Sequence, residues 1–194
     1  MKLAAKDLRV SEPTKADLAK IKRRDIYIIC DNVLDTYNIG SIFRLADAVA
    51  VKCVYLCGQT ETPPNSRISK ASVGCDKWVP WQYRASAVAA IEELRKLNAY
   101  PWSEVSQSEQ SRIAHSFGLA QSGIEKRAHP EGEKRIRVVA IEQAKGSKDF
   151  REVEYREPIA FVVGNETDGV SRRILDTVDE IVEIPMFGVN KSLN

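Results

Sequence analysis

Residues 27–58 read YIICDNVLDTYNIGSIFRLADAVAVKCVYLCG, and the changes of rhythm within this stretch decide the fold. YIIC (27–30) is a short apolar run of β-branched and aromatic residues, which suits a strand. In NIGSIFRLADAVA (38–50), Ile39, Ile42, Phe43, Ala46 and Val49 recur at helical spacing. CVYLCG (53–58) returns to a strand pattern and is stopped by glycine. Strand, helix and strand in succession form the repeating unit of an α/β protein.

The same alternation continues outward. WVPWQY (78–83) predicts a third strand despite its proline, and SAVAAIEELRKL (86–97) predicts a helix with Val88, Ile91 and Leu94 on one face. RVVAIEQ (137–143) and IAFVVGNE (159–166) read as strands, VSRRILDTV (170–178) as a short helix and EIVEIPM (180–186) as a last strand. Near-continuous apolar strands imply a mostly parallel sheet with helices on both faces. Residues 99–135 stand apart as a long polar connection. Ile113, Phe117 and Ile124 share a helical face there, with Arg112, Lys126, Arg127, Lys134 and Arg135 around them. An RNA-contacting insertion and a surface excursion without a role both fit that pattern.

A chain of 194 residues predicts one domain. With 43% hydrophobic and 29% charged residues it lies outside the disordered class. No apolar run approaches the roughly 18 residues of a membrane span. MKLAAKDLRVSEP at the start lacks the apolar core of a secretory signal, so the expected location is the cytoplasm, without a membrane partner. Cys30, Cys53, Cys57 and Cys75 form no CxxC pair and only His115 and His129 could join them, so no metal site is expected and the thiols read as reduced core residues. The net charge of +2 is unevenly spread: residues 1–30 carry eight Lys/Arg against four Asp/Glu. Lys15, Lys20, Lys22, Arg23 and Arg24 therefore suit phosphate contacts, or equally a solvated helix face.

Familiar nucleotide and hydrolase signatures are missing: there is no GxxxxGK phosphate loop, no GxGxxG after the first strand, no GxSxG and no HExxH. Three polar segments in apolar surroundings remain. In Asn38-Ile39-Gly40-Ser41-Ile42-Phe43-Arg44, Asn38 suits a helix cap and Arg44 a snorkelling surface residue, or both belong to a site. Gly164-Asn165-Glu166-Thr167-Asp168-Gly169-Val170 follows a buried-looking strand, where parallel sheets place ligand loops, although an ordinary capped turn also fits. Ile184-Pro185-Met186-Phe187-Gly188-Val189-Asn190-Lys191-Ser192-Leu193-Asn194 runs from an apolar strand into a small polar cluster, suited to an adenine edge or to a plain loop.

Together, in this order, NIGSIFRLADA, FVVGNETDGVS and IPMFGVNKSLN resemble the three motifs of the SpoU family of RNA 2'-O-ribose methyltransferases in the SPOUT superfamily. The likeness runs from about Tyr27 to Asn194 and includes RISKASVG (67–74) and VVAIEQ, with the insertion outside it. The resemblance implies a homodimeric α/β fold with a C-terminal trefoil knot, binding S-adenosylmethionine and methylating a ribose 2'-hydroxyl of tRNA or rRNA. By the same resemblance Asn38, Arg44, Glu166, Ser192 and Asn194 are the catalytic positions, and Ile141, Glu142, Gly164, Ile184, Met186 and Leu193 the cofactor positions, several acting through their backbone. A guanidinium stays protonated at ordinary pH. Arg44 is therefore read as orienting the RNA and stabilising the forming alkoxide, its fork held by Glu166 and Asn38.

Two departures from the family shape the expected organisation. Residues 1–25 form a basic lead-in instead of a separate RNA-binding domain, and 26–194 form the methyltransferase domain. RNA contacts would then fall to Lys20, Lys22, Arg23, Arg24 and Arg44. Because the sequence stops at Asn194, inside the third motif, it resembles a fragment whose final helix, knot and dimer contact are incomplete. The rival readings are a noncatalytic RNA-binding module with the same fold and, more distantly, a Rossmann-type nucleotide enzyme.

Overall fold

The computed structural model describes residues 12–99, Ser108 and residues 135–189. Within them, seven strands form one sheet in the order β3-β2-β1-β6-β4-β7-β5, and every pairing is parallel. The strands are β1 (Arg24–Asp31), β2 (Val51–Cys57), β3 (Trp81–Arg84), β4 (Arg137–Ile141), β5 (Lys148–Asp149), β6 (Ile159–Val163) and β7 (Glu180–Glu183). The helices are α1 (Lys15–Lys20), α2 (Thr36–Ala48), α3 (Ser66–Ser72), α4 (Ala87–Ala99) and α5 (Arg172–Leu175). The expected mostly parallel α/β sheet is thus present, with β1 between β2 and the central strand β6.

Burial on both faces follows from the period of two along each strand. Tyr27, Ile29, Cys53, Tyr55 and Cys57 point to the face covered by Ile91 and Leu94 of α4 and Ile174 of α5. Cys30, Val54 and Leu56 point to the other face, under Ile39, Phe43 and Ala46 of α2 and Ile68 of α3. Burying an Ile, Leu or Phe side chain contributes about 1.5–3 kcal/mol, so these two layers fix which face each strand residue takes. All four cysteines are buried and unpaired, and burial pushes the Cys53 and Cys57 thiols up to about 12.

Helices α2 and α3 touch at a glycine. A Cβ at Gly40 would stand 2.4 Å from Cβ of Ala71 and 2.8 Å from the Ile68 carbonyl, so the approach of the two helices requires its absence. Only Ile68 on α3 is a large apolar residue, so the sequence shows no helical period there. Asn65 starts this helix by accepting from the amides of Arg67 and Ile68.

Several boundaries differ from expectation for local reasons. The first strand begins at Arg24, so the last two residues of the 1–25 lead-in belong to the sheet, and the lead-in also contains α1, which opens on a Thr14–Asp17 capping box. The third strand starts at Trp81 instead of Trp78, because Pro80 has no amide to donate and offers only its carbonyl, to Val54 N at 2.9 Å. The last strand closes at Glu183, ahead of Pro185, and the helix expected at 170–178 is the single turn α5. β5, a two-residue edge strand, was not expected. The insertion at 99–135 lies almost wholly outside the described residues. Its last residue, Arg135, pairs with Asp179 at 3.3 Å.

Candidate active site

Parallel strands present their carboxyl ends along one edge, where ligand loops gather. β1 ends there in Asp31, 4% exposed, whose carboxylate accepts from the Ser171 amide at 3.1 Å and from Nδ2 of Asn32 at 2.9 Å. Asn32 takes a left-handed backbone, φ 57°, and turns the chain toward α2. Nδ2 of Asn165, just past β6, donates to the Asn32 carbonyl at 2.9 Å. Its Oδ1 accepts from the amides of Thr167 and Asp168 at 2.8 and 3.0 Å, folding residues 165–169 into a tight turn. Asp31 and Asn165 thus build the site without having been singled out in the sequence. The only signal for either is a polar side chain at the end of an apolar strand.

This turn delivers Glu166 to the start of α2. Oε2 of Glu166 accepts from the Leu34 amide at 3.0 Å. Oε1 accepts from the Asp35 amide at 3.1 Å and from Nδ2 of Asn38 at 3.0 Å. Partial burial is the largest single influence on the Glu166 carboxyl and pulls its pKa up. The hydrogen bonds from Asn38, Leu34, its own amide and Asp35 outweigh it and hold the group below its ordinary value. Asn38 and Glu166, remote in sequence, are therefore joined directly to each other.

Arg44 is not joined to them, which corrects the expected fork. Six residues separate Asn38 and Arg44 along α2, a rise of about 9 Å, and Glu166 is bonded instead to Leu34, Asp35 and Asn38. Arg44 is exposed and has no hydrogen bond or ion pair among the described residues. Its guanidinium is available to an incoming anion.

The cofactor positions divide in a similar way. Glu142, at the end of β4, accepts from Val170 N at 2.6 Å and Gln143 N at 2.9 Å, so its carboxylate braces the 164–170 turn. A Cβ on Gly164 would lie 2.2 Å from the backbone of Gly169 and Val170. The missing side chain there admits the turn itself. Ile141 and Met186 are half-buried and Ile184 is 39% exposed, leaving an apolar rim beside polar loops. Ser192, Leu193 and Asn194 lie outside the described residues.

The lead-in cations differ among themselves. Arg23 donates to the carbonyls of Val51 at 3.1 Å and Trp78 at 2.9 Å, and burial lowers its pKa. That guanidinium ties β2 to the segment before β3 and is not free for RNA. Arg24 pairs with Glu157 at 2.6 Å and Lys20 with Asp17 at 3.8 Å, while Lys22 is exposed and unpaired among the described residues.

The model of the SpoU rRNA Methylase family matches residues 25–127 and 124–194, which together span most of the chain. The chain belongs to the SpoU family. One SpoU relative, the tRNA (guanosine(18)-2'-O)-methyltransferase of Aquifex aeolicus, is 27% identical over 174 residues, covering 89% of this chain and 64% of that protein. Several other relatives are covered over only 52% of their length, so this SpoU chain spans between about half and two thirds of the proteins it matches. The crystal structure of the A. aeolicus TrmH/SpoU tRNA modifying enzyme superposes with a TM-score of 0.64 at 26% identity, over 91% of this chain and 71% of that one. The SpoU methyltransferase AviRb of Streptomyces viridochromogenes, in complex with AdoMet, shares the fold with a TM-score of 0.62 at 24% identity, over 92% of this chain and 58% of that one.

Proposed function

We propose that residues 26–194 are the methyltransferase domain of an S-adenosylmethionine-dependent enzyme that methylates a ribose 2'-hydroxyl in tRNA or rRNA. The observation that carries this reading is the Glu166–Asn38 joint, which locks the second motif onto the first at the carboxyl edge of the sheet and leaves Arg44 on the same helix without a partner among the described residues.

The described residues fit the cofactor by composition and place. Ile184 and Met186 offer apolar surface to an adenine, beside the carboxyl ends of β4, β6 and β7. S-adenosylmethionine would supply an electrophilic methyl group there. The protein's task is then to position a poorly nucleophilic hydroxyl and to stabilise negative charge growing on its oxygen. Arg44, exposed and cationic, suits both: it grips the neighbouring phosphate or ribose and faces the developing alkoxide. Glu166 and Asn38 are positioning residues, since they fix the loop that starts α2 and with it the direction of the helix carrying Arg44. Ser192 and Asn194 would complete the polar cluster around the ribose.

The enzyme would act in the cytoplasm as a homodimer, with the knotted C-terminal segment of its family. In support of the dimer, α2 presents Tyr37, Leu45 and Val49 to solvent, a row of large apolar side chains that a second copy would cover. The decisive experiment incubates the protein with S-adenosylmethionine carrying a labelled methyl group and with tRNA or rRNA lacking modifications. Label recovered as a 2'-O-methyl nucleoside supports the reading. RNA binding without cofactor binding or transfer would instead leave the noncatalytic module.

A further inference from the structure

A surface cavity of about 510 Å³ lies at the outer edge of the sheet, lined by Thr60, Glu61, Thr62, Trp81 and Tyr83. That volume falls within the roughly 300–1,000 Å³ typical of small-ligand clefts, and no step described above uses it. Trp81 and Tyr83 stand two apart on the edge strand β3 and so point to one face. It is the face that carries α2 and α3, since Trp81 packs on the same core layer as Ile39, Phe43 and Ile68.

The walls are fixed and tied to the active site. Tyr83 donates its hydroxyl to the Gly58 carbonyl at 3.1 Å, which orients the ring while half of the residue stays exposed. Oδ1 of Asn32 accepts from the Gln59 amide at 3.0 Å, and Oγ1 of the buried Thr60 accepts from the Val33 amide at 3.0 Å. The next two amides along, those of Leu34 and Asp35, hold Glu166. One continuous path of bonds therefore links the cavity wall to the Glu166–Asn38 joint. Glu61 closes the cavity with a carboxylate whose Oε2 accepts from Asn65 at 2.6 Å and whose Oε1 has no partner among the described residues.

We propose that this cavity takes one unpaired guanine of the RNA substrate, next to the nucleotide being methylated. The inference rests on the reading of the chain as an enzyme acting on RNA. Aromatic side chains stack on splayed-out bases, whose edges are then open to hydrogen bonding. A carboxylate only accepts, and guanine alone among the four bases presents two adjacent donors, N1–H and the 2-amino group, on its pairing edge. Oε1 and the second lone pair of Oε2 can take those two donors together, whereas adenine and cytosine offer one amino donor beside an acceptor and uracil one N–H between carbonyl oxygens, so each makes at most one bond to Glu61 and sets a lone pair against its other oxygen. Arg67 and Lys70, exposed on α3 and without ion pairs among the described residues, flank this face with charge for the phosphates on either side.

The test uses the full chain and short single-stranded oligoribonucleotides of uridine with one central guanosine, inosine, adenosine or cytidine. Binding is followed by anisotropy without cofactor. The guanosine oligomer should bind about tenfold or more tightly than the adenosine and cytidine oligomers, with inosine, which lacks the 2-amino donor, in between. Tyr83→Ala should weaken the guanosine oligomer about tenfold, the scale of one lost stack, whereas Tyr83→Phe should retain binding because the ring remains. Glu61→Gln should remove the preference for guanosine and leave total affinity for the uridine background unchanged. Equal binding of all four oligomers by the parent, or parent-like binding by a folded Tyr83→Ala and Glu61→Gln, overturns the proposal. Methyl transfer is measured separately: transfer by a parent that shows no guanosine preference removes the guanine pocket alone, while guanosine binding through Tyr83 and Glu61 without any transfer removes the enzyme reading alone.

Discussion

The side-chain amide of Asn38 donates to Oε1 of Glu166 at 3.0 Å across 128 residues of sequence. The same carboxylate takes the amides of Leu34 and Asp35, so a single acidic group from the loop after β6 closes the loop after β1.

This closure should depend on pH in a defined direction. The Glu166 pKa is held below its ordinary value of 4.5, so its contribution is fully present above that value and is lost as pH falls through the lower folded-state value. Hydrogen exchange of the Leu34 and Asp35 amides should show protection that is constant from neutral pH to about 5 and falls in more acidic solution, after correction for intrinsic exchange. Glu166→Gln should lack this acid step. A step of the same size in that variant would assign the pH dependence to another group.

Arg44→Ala should lower methyl transfer by about 10²-fold or more, the scale of one lost transition-state contact. Because the guanidinium makes no bond among the described residues, the variant should unfold at the same denaturant concentration as the parent and bind S-adenosylmethionine equally well. Saturating-cofactor transfer rates beside an unfolding curve give both readouts, and a near-normal rate would take Arg44 out of the chemistry.

Gly40→Ala tests the seam between α2 and α3. The added methyl meets Ala71 and the Ile68 carbonyl at distances that force the helices apart, and overpacking of this kind costs about 1–3 kcal/mol. Urea denaturation should register that loss. A change under about 0.5 kcal/mol, the size of an ordinary surface substitution, would mean that the helices shift without penalty.

Lys22 and Arg23 are neighbours with opposite expected behaviour. Lys22→Ala should leave stability alone and flatten the salt dependence of RNA binding by about one counterion. Arg23→Ala should destabilise by about 1–3 kcal/mol, since it strands the Val51 and Trp78 carbonyls. Filter binding across a salt series, paired with thermal unfolding, separates the two, and equal effects of both changes on RNA binding would restore the uniform basic patch suggested by charge counting.

Sequence alone determined the strands β1–β4, β6 and β7 and the helices α2, α4 and α5, because β-branched apolar runs and helical spacing are local patterns with local causes, whereas β5, α1 and α3 are too short or too polar to show such a pattern. It also determined the family resemblance, since the three motifs lie in fixed order along the chain. It could not decide which polar groups meet. Asp31 and Asn165 look like strand-end residues in the sequence, yet they build the turn that aims Glu166. Arg23 and Lys22 carry the same formal charge, and only the neighbouring carbonyls distinguish them. Glu166 was expected to hold Arg44, but the backbone amides before α2 reach it first, and a hydrogen bond acts over about 3 Å while Arg44 lies farther along the helix. Periodicity is a property of residues near in sequence. The partner of a carboxylate is a property of chain segments far apart in sequence and brought together on neighbouring strands, which tertiary structure alone decides.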